Sequence, residues 1–131
     1  MNSQSISLKI KILIVDDNRI IRHLLRLTFS DSRIELFEAD CCATALSIIT
    51  EQKPDYVILD VMIPGELNGF QVCQQVKSWS DTRPCKIILL TARSQQQDVD
   101  LGKQVGADFY MTKPFSPTEL LALIDFEKTA T

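Results

Sequence analysis

Four apolar runs in this chain stop at residues that can do chemistry. Asp16 and Asp17 follow the run 10–15, Asp60 follows 56–59, Thr91 follows 87–90, and Lys113 follows 109–112. Taken singly, each has an ordinary use: a helix cap for Asp16 or Asp17, a turn for Asp60, a strand position for Thr91, a solvated loop for Lys113. Coincidence is a poor account of four such residues at the ends of four runs. Gathered in one place, the three carboxylates would repel strongly, since two unit charges about 4 Å apart at an effective dielectric near 20 cost roughly 4 kcal/mol. Lys113 offsets one charge, and an oxygen-preferring ion such as Mg²⁺ or Mn²⁺ would offset the rest. A divalent ion, a carboxylate nucleophile, a hydroxyl and an amine are the parts of a phosphoryl-transfer site. Asp60 would attack in line to give an aspartyl phosphate, Lys113 and the metal would neutralise the equatorial oxygens, and Thr91 would donate a hydrogen bond.

The elements that must position these residues follow from the pattern between them. Short apolar runs, at 10–15, 34–39, 56–59, 87–90 and 109–112, alternate with longer amphipathic stretches. Helices are predicted after Asn18 (with Ile20, Ile21, Leu24, Leu25 and Thr28 at three- and four-residue spacings), over 43–50, over 70–79, over 94–105, and from Pro117 to about Lys128. Ser116, Pro117 and Glu119 supply the start of the last one. The segment 63–69 is dense in turn formers and reads as a loop. Five strand-then-helix units imply an α/β fold: a doubly wound, five-stranded parallel sheet flanked by five helices. In the flavodoxin-like strand order 2-1-3-4-5, strands one, three, four and five are neighbours, so Asp16, Asp17, Asp60, Thr91 and Lys113 would meet at one sheet edge. One domain spanning residues 1–131 is expected.

Composition narrows the alternatives. With 14 basic and 17 acidic residues mixed along the chain and a net charge of −3, no basic stripe supports direct nucleic-acid binding. The first residues lack the apolar segment of a secretory signal, and the apolar runs are too short to span a membrane, so the cytoplasm is the expected compartment. Cys41, Cys42, Cys73 and Cys85 show no paired spacing and read as free thiols, and with His23 they make no zinc set. No glycine-rich phosphate loop follows the first strand, where Asp16-Asp17-Asn18-Arg19 stands instead, which counts against a nucleotide- or flavin-binding module. Phosphatases with an aspartate nucleophile usually carry a second aspartate two positions on, where this chain has Met62.

The motifs I-L-I-V-D-D at 12–17, V-I-L-D-V-M-I-P-G at 57–65, L-L-T-A at 89–92 and Y-M-T-K-P-F at 110–115 resemble, as a set, the receiver domains of bacterial two-component systems. The resemblance covers about Lys9 to Lys128. It implies Asp60 as phosphoacceptor, Asp17 as a direct metal ligand, Asp16 as a ligand through water, and the Met62 backbone carbonyl as a further ligand. It also implies Thr91 as a switch hydroxyl, the Ala92 backbone and Lys113 as phosphate contacts, Pro114 as a cis-proline, and Tyr110 as an aromatic ring that moves inward when Thr91 turns to the phosphate. The implied donor is a histidine kinase or histidine phosphotransfer protein. The responding face is helix four, strand five and helix five, and output would come from a downstream protein or a region missing from this chain. Such a module assists its own phosphorylation and dephosphorylation without being a conventional turnover enzyme.

The alternative is a degenerate receiver that binds partners without phosphorylation; the full residue set argues against it. A free-standing regulator is expected over a piece of a longer one. Helix five offers no arginine, which disfavours the dimer common in DNA-binding relatives. Three features depart from the family pattern: a loop after Asp60 one residue longer, with Gly69 nine positions on; Cys42 where many relatives have glycine; and Met62 and Arg93 at the variable positions flanking the site.

Overall fold

The computed structural model describes residues 9–127. Its elements alternate as β1 (Ile10–Val15), α1 (Arg19–Thr28), β2 (Ile34–Ala39), α2 (Cys42–Gln52), β3 (Tyr56–Leu59), α3 (Gly69–Ser78), β4 (Lys86–Thr91), α4 (Gln96–Gln104), β5 (Phe109–Thr112) and α5 (Pro117–Ala122). All strand pairs are parallel, and the sheet order is β2-β1-β3-β4-β5, the expected flavodoxin-like arrangement.

The central strands β1, β3 and β4 are mostly apolar and buried because both sheet faces are covered there, and strand alternation sorts their residues. Leu13, Val15, Val57, Leu59, Ile87 and Leu89 face one side and pack with Ala45 and Ile49 of α2 and Val72, Cys73 and Val76 of α3. Ile10, Ile12, Ile14, Ile58, Ile88 and Leu90 face the other, against Leu25 of α1, Phe29, Leu120 of α5 and Ile124. Helix α4 is held more lightly, with only Asp98 and Gly102 buried among its residues.

Helix starts follow local chemistry. Asn18 caps α1 by accepting from the amides of Ile20 and Ile21, and Asn68 and Gln71 form a reciprocal capping box on α3. Lys53, at φ 46°, ends α2 just before Pro54, which cannot continue it.

One expectation needs correction. Helix α5 stops at Ala122, not near Lys128, and Lys128 itself lies outside the described residues. The apolar pattern ran on because Leu123, Ile124 and Phe126 still pack on the core after the helix has ended. Helix α1 buries Leu25 of its apolar positions, while Ile20 is 70% and Leu24 44% exposed.

Candidate functional site

The carboxyl ends of β1, β3, β4 and β5 bring the predicted residues to one edge. The backbone ladder carries on one residue past each relevant strand. Asp16 N–H donates to the Ala39 carbonyl (3.2 Å), Asp60 N–H to Val15 (3.0 Å) and Lys113 N–H to Thr91 (2.8 Å). The reactive side chains therefore start from backbone as well fixed as the sheet itself.

Carboxylate oxygens of Asp16, Asp17 and Asp60 lie within 4.8 Å of one another. Asp16 is 2% and Asp60 6% exposed, while Asp17 is open to solvent. Lys113 Nζ donates to Asp16 Oδ2 at 2.6 Å and to Asp60 Oδ2 at 3.1 Å. The remaining oxygens are also engaged: Asp16 Oδ1 accepts from Asn18 N–H (2.9 Å) and Asp60 Oδ1 from Met62 N–H (3.0 Å). The cap of α1 is Asn18, which leaves the two preceding aspartates for the cluster.

The electrostatics are unbalanced. Burial pushes the Asp16 carboxyl above its ordinary value, and the hydrogen bonds from Lys113 and the Asn18 amide offset this only in part. A carboxylate in so short an ion pair would ordinarily fall, so desolvation wins here. For Lys113, burial pulls the ammonium down, but the hydrogen bond to Asp16 and the charges of Asp60 and Asp16 outweigh it and the net shift is upward. One ammonium is thus shared by Asp16 and Asp60 in a cluster of three carboxylates. The donor set is all oxygen, with one ligand position open to solvent through Asp17, and it suits a hard divalent ion.

In the loop after Asp60, Gly65 takes φ +133°, and the chain rejoins the fold through Gly69 N–H to the Val61 carbonyl (3.1 Å). Gly69 packs directly on the Asp60–Val61 backbone: a Cβ there would come within 2.7 Å of Val61 Cα and closer still to the Asp60 carbonyl oxygen. The Met62 side chain is 56% exposed beside the cluster.

Thr91 is fully buried at the end of β4, and its Oγ1 accepts from Arg93 N–H at 3.3 Å. Ala92 is exposed. Tyr110 does not join the carboxylate cluster; its hydroxyl donates to the Arg93 carbonyl at 2.7 Å. The Lys113–Pro114 peptide is cis. Cys42 is buried at the start of α2, and the helix begins there without a glycine. His23 is exposed on α1, its ring Nδ1 3.4 Å from an Arg26 nitrogen, away from any ligand set. The four cysteines are free.

Sequence reasoning missed Asp98, a buried carboxylate on α4 that pairs with Arg93 at 2.8 Å. A separation of five residues in a polar stretch carries no periodic signal. The close approach of Gly69 to Asp60 was also missed, although the glycine itself stood out.

Residues 12–125 match the response regulator receiver domain family. The chain belongs to that family. Among curated relatives of this receiver domain, Response regulator MprA of a Mycobacterium species is 44% identical over 115 residues, covering 86% of this chain and 48% of the relative. Phosphate regulon transcriptional regulatory protein PhoB of Pseudomonas aeruginosa is 40% identical over 111 residues, covering 85% and 48%. The receiver domain therefore spans about half the length of the curated relatives it matches. Among solved structures, chemotaxis protein CheY4 of Vibrio cholerae superposes with a TM-score of 0.80 at 31% identity, covering 88% of this chain and 95% of that one. The BeF3-activated DrrB receiver domain superposes with a TM-score of 0.80 at 30% identity, covering 93% and 97%. Among the described residues, no helix is long and apolar enough to cross a membrane.

Proposed function

We propose that this receiver domain takes a phosphoryl group from a phosphohistidine donor onto Asp60, with the help of Mg²⁺ or Mn²⁺, and thereby alters a partner-binding face. The observation that carries this reading is the convergence of the Asp16, Asp17 and Asp60 carboxylates within 4.8 Å, with Lys113 bridging Asp16 and Asp60.

Asp17 would hold the metal directly, Asp16 through water, with Asp60 and the Met62 carbonyl completing the protein ligands. When bound, the ion supplies charge neutralisation and orients the phosphoryl oxygens. An Asp60 carboxylate oxygen forms the new bond to phosphorus as the phosphorus–nitrogen bond to the donor imidazole breaks, and the imidazole leaves with the bonding pair. Lys113 stays with the transferred group's oxygens, the Ala92 amide donates to one of them, and the Thr91 hydroxyl turns to donate to another. The Tyr110 ring then has a changed neighbour, and the face of α4, β5 and α5 is the proposed readout. The domain promotes its own acylphosphate formation and hydrolysis and otherwise turns nothing over.

The proposed donor is a histidine kinase or histidine phosphotransfer protein in the cytoplasm. The proposed output is a downstream protein or a further region of a longer regulator, with residues 1–131 forming one domain. No direct contact with nucleic acid or membrane is proposed for these residues.

The test is intact mass after incubation with Mg²⁺ and acetyl phosphate, beside Asp60→Ala and chelated samples. A gain of one phosphoryl group that needs both metal and Asp60 is the expected result. No gain from either acetyl phosphate or a phosphorylated histidine donor, in folded protein, would replace this reading with a phosphorylation-independent interaction module.

A further inference from the structure

Asp98 is the buried carboxylate, among the described residues, that the metal and phosphoryl chemistry leaves unused. It lies on α4, and its Oδ1 accepts from Arg93 Nε at 2.9 Å and sits 2.8 Å from a terminal guanidinium nitrogen of the same residue. Arg93 is also bound at three other points. Its amide donates to Thr91 Oγ1 at 3.3 Å, its carbonyl accepts from the Tyr110 hydroxyl at 2.7 Å, and its guanidinium lies 5.9 Å from the Phe70 ring centroid of α3. Helix α4 has little else to fix it. Gln95 at its start makes no side-chain cap bond, and Gly102 in its middle is the place where Tyr110 fits, since a Cβ there would meet Tyr110 Cδ2 at 2.8 Å.

We propose that Arg93 and Asp98 form the strut that holds α4 to the Thr91–Ala92 loop, and that Arg93 is a positioning residue through which the state of Asp60 reaches α4. The second half rests on the phosphoacceptor reading of Asp60. The Arg93 amide donates to Thr91 Oγ1, so a rotation of the Thr91 side chain that carries Oγ1 towards a phosphoryl oxygen alters that contact. Any resulting shift of Arg93 acts at once on Asp98 and on the Tyr110 hydroxyl. A buried carboxylate left without its cation is costly, so α4 follows the guanidinium rather than part from it. The phosphorylated state then biases α4 because the Thr91 contact differs between the two arrangements.

Amide hydrogen exchange on the full chain, with and without Mg²⁺ and acetyl phosphate, tests both halves. The proteins are wild type, Arg93→Ala, Arg93→Lys, Asp98→Asn and the Arg93→Ala/Asp98→Asn double variant. In the unphosphorylated proteins, Arg93→Ala and Asp98→Asn should each speed exchange over 96–104 about tenfold, about 1.4 kcal/mol of local opening. The double variant should add nothing further, and Arg93→Lys, which keeps the charge but not the two-point contact, should fall between. Unchanged exchange in the single variants, or additive effects in the double, would overturn the strut.

On phosphorylation, Asp98→Asn should still gain the phosphoryl mass yet lose at least two-thirds of the exchange change that wild type shows over 96–104. A full wild-type response of α4 in that variant would overturn the coupling. Should Asp98→Asn fail to fold, Arg93→Ala and Arg93→Lys decide both points. A wild type that gains no phosphoryl group at all overturns the acceptor reading and the coupling together, while the unphosphorylated comparison still judges the strut.

Discussion

Lys113 Nζ lies 2.6 Å from Asp16 Oδ2 and 3.1 Å from Asp60 Oδ2, so one ammonium serves two buried carboxylates from different strands. The tighter contact is to Asp16, the residue proposed to serve the metal, and the looser to Asp60, the proposed acceptor. A cation entering the cluster competes with Lys113 mainly for Asp16. The ammonium that it releases is already within reach of the acceptor carboxylate, where the phosphoryl charge would arrive.

Replacing that ammonium isolates its effect. Lys113→Met removes a cation from two nearly buried carboxylates and should cost about 2 kcal/mol of stability in chelated buffer, by the penalty of leaving buried charge unpaired. Divalent metal should restore at least half, because it supplies the missing positive charge. Urea unfolding in EDTA and in Mg²⁺ measures both, and an equal loss in the two buffers would count against a shared electrostatic cause.

Mg²⁺ itself should stabilise the wild-type fold. At a free concentration a hundred times its dissociation constant, the expected gain is about 2.7 kcal/mol. Asp17→Asn should lose most of that gain. Its exposure makes a folding defect from the substitution unlooked-for, so a thermal shift by Mg²⁺ equal to that of wild type would remove Asp17 from the ligand set.

The loop after Asp60 offers a paired comparison. Gly69→Ala drives a Cβ into the backbone of Asp60 and Val61, and should destabilise by about 2 kcal/mol, as overpacking of a rigid contact does. It should also slow phosphoryl uptake, because the acceptor peptide must move. Gly65→Ala meets no atom within 4 Å, yet must adopt φ +133°, so it should cost stability through backbone strain of about 1 kcal/mol or more while uptake stays near wild type. Equal uptake rates in the two variants would defeat the distinction.

Alkaline pH should weaken the fold through two buried thiols. Burial pushes both Cys73 and Cys85 up to about 12 from an ordinary value of 9.0. Unfolded thiols ionise first, so their contribution is intact below pH 9 and is lost as pH rises from there towards 12. Between pH 8 and pH 10 the pair should cost roughly 3 kcal/mol of stability. Lys113, whose folded value is also raised, acts in the same direction above its ordinary value of 10.5. Unfolding free energies for wild type and Cys73→Ala/Cys85→Ala at the two pH values check this, and parallel losses in both proteins would rule out the thiols.

Much of this fold was legible because its strands announce themselves. The runs 10–15, 34–39, 56–59 and 109–112 coincide with β1, β2, β3 and β5; for β1 and β3 this is because an apolar, buried run ends where a charged residue begins. The same ends made the site legible: once the sheet order was inferred, Lys113 and Asp16 could be placed together although 97 residues separate them. Helix limits were less legible, because apolar spacing reports burial and not hydrogen bonding. Leu123, Ile124 and Phe126 keep the pattern after α5 has ended, and Ile20 and Leu24 share it while facing outward. The Arg93–Asp98 pair had no sequence signal, since either residue would suit an exposed polar segment equally well.

Gly69 has a mechanical meaning as well as a steric one. With no side chain of its own, it lets α3 rest against the peptide that carries Asp60, so the acceptor is braced from behind like work against an anvil. Beside α3 on the same sheet face lies lightly packed α4, whose C-cap Val105 carbonyl is 3.6 Å from Cys73 Sγ. A group newly attached at the acceptor would meet close backbone contact from Gly69 of α3. The proposed response would then fall on α4, which buries only Asp98 and Gly102.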